Sequence, residues 1–233
     1  MVKPLCVVAG AGPGNGAAIG RKFAESGYAV AMLARDQDRL QKLTKQIAGA
    51  GAYGCDLTDP DSVAATFSRI KQELGSVSVL VYNAGGGKWG NIEQTEPAEL
   101  EQAWRVNAYG CLLSTRQVLP DMLAAGTGNI VVIGATASLR GGANFTAFAS
   151  AKGAQRLLTQ SMARHLGPKG IHVSYVIIDG VVDLPRTRQR LPDKPDDFFL
   201  SPGEIAESVL HLTHQKKSAW SFEIDLRPSG ESW

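Results

Sequence analysis

The chain has 233 residues, 24 Lys and Arg against 22 Asp and Glu, a net charge of +2 and 44% hydrophobic residues. That length suits one α/β domain, or at most two small ones, and the near-balanced charge argues against nucleic acid or an acidic membrane surface as a partner. Glycine supplies 26 residues, about 11% against a usual ~7%, with no collagen-like period, so the surplus needs a local explanation.

The segment LCVVAG (5–10) is a short apolar run ending in Gly, the pattern of a buried strand. Ile19, Phe23 and Ala24 then share one helical face, and Gly27 ends that helix. YAVAML (28–33) is a second strand, and Leu40, Leu43 and Ile47 mark an amphipathic helix after it. A third strand is expected over 52–57, followed by a helix on Val63, Phe67, Ile70 and Leu74 opened by Asp59-Pro60. VSVLVYNAGG (77–86) is a fourth strand, and helix pattern fills 97–123. GNIVVIGA (128–135) is a fifth strand, 145–166 a helix, IHVSYVII (171–178) a sixth strand, 203–213 a helix and 221–226 a last strand.

Strands that are continuous apolar runs and alternate with helices make a doubly wound parallel sheet with helices on both faces. One domain over 1–233 is expected, with neither repeat nor linker. The Pro- and charge-rich stretch 183–200 follows the sixth strand, where such a sheet opens its ligand crevice. It reads as a substrate lid, with a plain surface loop as the alternative. Arg186, Arg188 and Arg190 within it either hold a substrate anion or are solvated.

The N-terminal segment lacks the long apolar stretch of a signal peptide, and no run approaches the ~18 apolar residues of a membrane span. Cys6, Cys55 and Cys111 are scattered, which reads as reduced and buried thiols in a cytoplasmic protein. His211 and His214 lack further ligands nearby, so no metal site is expected.

The first strand runs into Gly10, Gly12, Gly14, Asn15 and Gly16 ahead of a helix. Glycine there lets the backbone turn tightly and approach a pyrophosphate at the helix N-terminus. Arg35 follows the second strand, and a guanidinium suits the 2′-phosphate of NADP, which favours NADP(H) with NAD(H) as the alternative. Asp36 is either the acid that selects NAD or the cap of the next helix.

Taken together these segments resemble the short-chain dehydrogenase/reductase family over nearly the whole chain. Gly10-x-x-x-Gly14-x-Gly16 is similar to its cofactor loop, although Asn15 replaces an aliphatic residue. Asp56-Leu57 resembles the pair whose acid reaches the adenine, and Asn83-Ala84-Gly85 the motif that shapes the fourth strand's end. Asn107 resembles the helix asparagine that holds a proton-relay water, and Lys152 the lysine that grips the nicotinamide ribose. Gly180 and Val182, after the sixth strand, fall where the resemblance implies further cofactor contact. The resemblance implies a single Rossmann-type domain, an NADP(H)-dependent oxidoreductase acting on a carbonyl or enone, and association as a homodimer or homotetramer through the helices at 97–123 and 145–166, where Gly110, Ala147, Ala149, Ala151 and Ala154 permit close packing.

The chemistry departs from that pattern. The family's acid is a Tyr four residues before the Lys, and Phe148 stands there. Ala135 takes the family's Ser position, leaving Thr136 and Ser138 as the nearby hydroxyls, either on substrate or as strand-end caps. The usual Pro-Gly and following Thr are absent from Asp179-Gly180-Val181-Val182-Asp183-Leu184. Phe148 has no proton to give, and losing a general acid costs about 10²–10⁴ in rate. A cofactor-binding sensor without catalysis is the second expectation.

Overall fold

The computed structural model describes residues 3–230. The strands are β1 (Leu5–Ala9), β2 (Ala29–Ala34), β3 (Ala50–Gly54), β4 (Val77–Tyr82), β5 (Gly128–Ile133), β6 (Ile171–Ile178), β7 (Val181–Val182), β8 (Phe199–Leu200) and β9 (Glu223–Leu226). Seven of them form one sheet in the order β3-β2-β1-β4-β5-β6-β9, parallel throughout. β7 and β8 pair only with each other. The helices are α1 (Asn15–Glu25), α2 (Gln37–Thr44), α3 (Pro60–Leu74), α4 (Pro97–Trp104), α5 (Gly110–Ala125), α6 (Thr146–Leu166), α7 (Pro185–Arg190) and α8 (Pro202–Thr213).

Side chains of a strand alternate between its two faces, and β1 shows what this does to the core. Leu5, Val7 and Ala9 pack with Val63, Phe67 and Ile70 of α3 and with Val118 and Met122 of α5. Cys6 and Val8 pack on the other side with Ile19 and Phe23 of α1, Leu40 of α2 and Val209 and Leu212 of α8. A strand buried on both faces must be apolar at every position, which is why LCVVA carries no polar residue. The helix starts follow from local chemistry. Asp36 accepts from Arg39 N at 2.9 Å, so this acid caps α2. Asp59 accepts from Asp61 N at 3.0 Å with Pro60 opening α3.

The expected doubly wound α/β domain is present, with three local differences. β3 ends at Gly54, because the Asp56 carboxylate accepts from Thr58 N at 2.9 Å and turns the chain out of the sheet. The helical stretch expected over 97–123 is α4 and α5 joined by a π turn over Arg105–Tyr109. The stretch 183–200, expected as a lid or a plain surface loop, contains α7 and β8.

Three of the five small residues expected to admit a second copy, Gly110, Ala147 and Ala151, pack within the chain. Ala147 and Ala151 of α6 are buried against Ala103 of α4. A Cβ on Gly110 would meet Tyr82 OH at 2.5 Å and Leu57 O at 2.7 Å.

Candidate cofactor and active site

The strand order reverses beside β1, with β2 and β3 on one side and β4 and β5 on the other. A crevice opens there at the carboxyl ends of the strands, because the helices leave β1 and β4 toward opposite faces. Its volume is about 1310 Å³, large for a small-molecule site.

The loop after β1 lies on the floor of this cleft, and Gly10 anchors it. Gly10 has φ +92°, and a Cβ there would stand 2.3 Å from Ala84 N, so no other residue fits. The approach is fastened by hydrogen bonds: Asn83 N and Ala84 N donate to Ala9 O at 2.8 and 2.9 Å. Asn83 Nδ2 donates to Gly10 O at 2.7 Å. Asn83 therefore holds the loop in place, and Ala84 and Gly85 continue the floor.

Gly12, Gly14, Asn15 and Gly16 line the cleft where α1 begins. The first amides of a helix have no intrahelical acceptor and favour an anion. Asn15 Oδ1 is buried there with no hydrogen-bond partner among the described residues. Arg35 lines the far end together with Arg39, which the sequence reading did not single out. Arg39 lies on the first turn of α2, four residues after Arg35, and its nearness to the strand end was the available signal. Asp56 lines the same end. Its hydrogen bonds from Thr58 hold the carboxyl below the usual range, with the Arg35 charge adding to this.

Lys152 lies on α6 beneath the floor and is buried. Its Nζ donates to Ile133 O and to Gln155 Oε1, each at 2.9 Å. Burial without a carboxylate partner pulls its pKa down to about 8. Asn107, also fully buried, sits inside the π turn. Its Nδ2 donates to Gly86 O at 2.6 Å and to Ala103 O at 2.8 Å, and its Oδ1 has no partner among the described residues. A Cβ on Gly85 would stand 3.0 Å from Asn107 Oδ1 and 3.1 Å from Lys152 Nζ. Neither side chain lines the cleft itself; the unpaired acceptor and the ammonium lie beneath its floor, both against Gly85.

The remaining candidates are distributed differently. Phe148 lines the cleft, packed so closely on the loop that a Cβ on Gly87 would lie 3.1 Å from Phe148 Cβ. Thr136 and Ser138 do not line it. Thr136 Oγ1 donates to Asp179 at 2.5 Å, and Ser138 Oγ donates to Ala135 O at 2.7 Å. Asp179, buried beneath, also pairs with Arg227. Val182 lines the cleft, whereas Gly180 packs behind it against Pro228 and Leu200.

In the 183–200 stretch, Arg188 is committed to structure. Its Nε and Nη2 donate to the two Asp183 oxygens at 2.8 and 2.9 Å, its Nη1 donates to Asp196 at 2.5 Å, and its guanidinium lies 4.1 Å over the Phe199 ring. Arg186 lines the cleft with Leu184 and Pro185. Trp89, edge-on to Phe145 at 5.1 Å, gives the same end an exposed aromatic.

These features fit a dinucleotide: a glycine floor, helix amides, two arginines at the far end, and an unpaired buried oxygen beside an ammonium. The comparisons with known proteins agree. Residues 4–195 match the family model for short chain dehydrogenase. The chain is 33% identical, over 94% of its length and 87% of the relative's, to 2-(R)-hydroxypropyl-CoM dehydrogenase of Xanthobacter autotrophicus. It superposes with TM-score 0.83 at 34% identity on a short-chain dehydrogenase from Rhodopseudomonas palustris, covering 97% of this chain and 98% of that one. A metagenomic short-chain oxidoreductase in complex with NADP gives TM-score 0.84 at 30% identity, covering 99% of each chain. Among the described residues no helix is long and apolar enough to cross a membrane. With the family model matched over residues 4–195 and a dehydrogenase relative 33% identical over nearly the whole chain, the chain belongs to the short-chain dehydrogenase family and is an oxidoreductase of that type.

Proposed function

We propose that this chain is an NADP(H)-dependent oxidoreductase that acts on a carbonyl or conjugated enone of a small molecule, with Lys152 carrying the proton that a phenol would otherwise supply. The observation that carries this reading is the meeting of Lys152 Nζ and Asn107 Oδ1 at Gly85, on the floor of a cleft whose other end is the glycine loop.

Gly10, Gly12, Gly14, Asn15 and Gly16 hold the pyrophosphate, and Asp56 with Leu57 the adenine end. Arg35 and Arg39 take the 2′-phosphate, which favours NADP(H) over NAD(H); Asp36 is spent on its helix cap. Asn83, Ala84, Gly85, Gly180 and Val182 shape the nicotinamide end, Lys152 grips its ribose, and Asn107 holds the water that relays a proton to it. The bound cofactor supplies the hydride. Lys152 gives a proton from Nζ toward the developing alkoxide or enolate and regains it from water. Its lowered pKa suits that task near neutral pH. Thr136 and Ser138 act on this reading through the wall they brace.

Trp89, Phe148, Val106 and Leu184 at the open end fit an apolar substrate body, and 183–200 is the lid over it. Exposed Leu100, Trp104, Leu112 and Leu157 on α4 to α6 support a homodimer or homotetramer. Three buried free thiols support a cytoplasmic setting.

A second reading, an NADP(H)-binding sensor without catalysis, is favoured by one observation: Phe148 presents a ring with no proton in the cleft. Two measurements separate the readings. NADPH binding is followed by nucleotide fluorescence, and turnover of a carbonyl and enone panel is compared with Lys152→Ala. Turnover above that control supports the enzyme. Binding with no turnover, and activity appearing only in Phe148→Tyr with Ala135→Ser, supports the sensor.

A further inference from the structure

Gln155 lies one helical turn beyond Lys152 on α6 and is fully buried. Both ends of its amide are committed. Nε2 donates to Asn107 O at 2.9 Å, and Oε1 accepts from Lys152 Nζ at 2.9 Å. This one side chain therefore bridges the π turn after α4 to the lysine of α6.

The bridge is itself held from behind. Tyr175 of β6 places its hydroxyl 3.5 Å from Gln155 Oε1 and 3.5 Å from Lys152 O. The ring reaches that position because residue 134 is glycine: a Cβ there would lie 2.3 Å from the Tyr175 ring. A small residue at the end of β5, a large one on β6 and an amide on α6 are thus mutually dependent.

An ammonium has three donors. Two are spent on Ile133 O and Gln155 Oε1, both neutral acceptors. Nζ lies 3.1 Å and Asn107 Oδ1 3.0 Å from where a Cβ on Gly85 would stand, so both groups face the side of Gly85 that its missing side chain leaves open. The bridge sets where the third donor points and fixes Asn107 relative to it.

We propose that Gln155 is a positioning residue that ties Lys152 to the Asn107 carbonyl and so aims the free ammonium donor at the space above Gly85. This rests on the reading that Lys152 serves cofactor and substrate there. The other titratable groups facing Lys152 are the Cys111 thiol from α5 and the Tyr175 phenol from β6, and neither supplies a counter-charge at neutral pH.

The test uses full-length protein with ¹³C-labelled lysine. The Cε resonance of Lys152, assigned by its loss in Lys152→Met, is titrated in the wild type, Gln155→Leu and Gln155→Glu, and NADPH affinity is measured at pH 7. Glu keeps the shape and adds a charge, so the Lys152 midpoint rises by about one pH unit or more. Leu removes the acceptor, so the midpoint falls and NADPH binds about tenfold more weakly; Glu retains affinity within a few-fold. Should Leu fail to fold, Gln155→Met takes its place. Identical midpoints and affinities in all variants would overturn the proposal and leave Gln155 as core filling. A wild type that does not bind NADPH would instead refute the functional reading, while the lysine midpoint still decides the role of Gln155.

Discussion

Thr136 Oγ1 donates to Asp179 at 2.5 Å, across the ends of β5 and β6. The same carboxylate is paired with Arg227, beyond the end of β9, so three strand ends are joined by one buried group. The hydroxyl nearest the family's serine position is thereby spent on architecture. Asp179 is 8% exposed and sits where family members carry proline, so the cluster replaces a rigid turn by an ion pair.

Thr136→Val is expected to cost about 1.5–3 kcal/mol of stability by removing one hydrogen bond to a charged partner. NADPH affinity should stay within about twofold, since the residue lies outside the cleft. Urea unfolding and nucleotide titration check both parts. An intact stability with lost binding would show that the hydroxyl reaches the ligand.

Arg35 and Arg39 frame the far end of the cleft. The Arg35 charge acts on the Asp56 carboxyl, and both guanidinium groups line the open cleft, where an anion can reach them. A guanidinium–phosphate hydrogen bond contributes about 1.5–3 kcal/mol. Arg35→Ser or Arg39→Ala is therefore expected to weaken NADPH about tenfold or more and leave NADH nearly unchanged. Equal losses for both nucleotides in a binding titration would place the arginines on the pyrophosphate instead.

Burial lowers the Lys152 pKa from 10.5 to about 8. Between those values the unfolded chain holds more protons than the folded one, so folding stability gains as pH rises from 8 toward 10.5. Relative to Lys152→Met, the gain is on the order of 1 kcal/mol per pH unit. Reduction that draws on the ammonium runs the other way and slows as pH rises through 8. Paired denaturation series and a pH–rate profile measure the two slopes. A stability difference that is flat from pH 8 to 10 would mean Lys152 titrates like a solvated lysine.

Much of this was legible along the chain, for a physical reason. β1 must be apolar at every position because both its faces are covered, and that run, followed by glycines and a helix, is a local pattern. Gly10 is required by its own backbone angle. Lys152 and Phe148 were named through the resemblance to a family whose Tyr and Lys stand four residues apart, a pattern that lies within one helix. Asp36 could not be resolved, since capping and ribose binding ask for the same acid at the same place; its bond from Arg39 N settles the first.

What the chain order did not contain is partnership across elements. Thr136 reads as a free hydroxyl until β6 brings Asp179 to it. Gln155 reads as one more polar helix residue until the π turn offers it a carbonyl from 48 residues away. Gly134 and Tyr175 read as unrelated until β5 and β6 lie side by side. The continuous apolar runs of the strands and the glycine loop were determined by sequence alone, since each depends on near neighbours. Which hydroxyl is spent, which amide holds the lysine and where its last donor points were decided only by tertiary structure, since each depends on groups that folding makes adjacent.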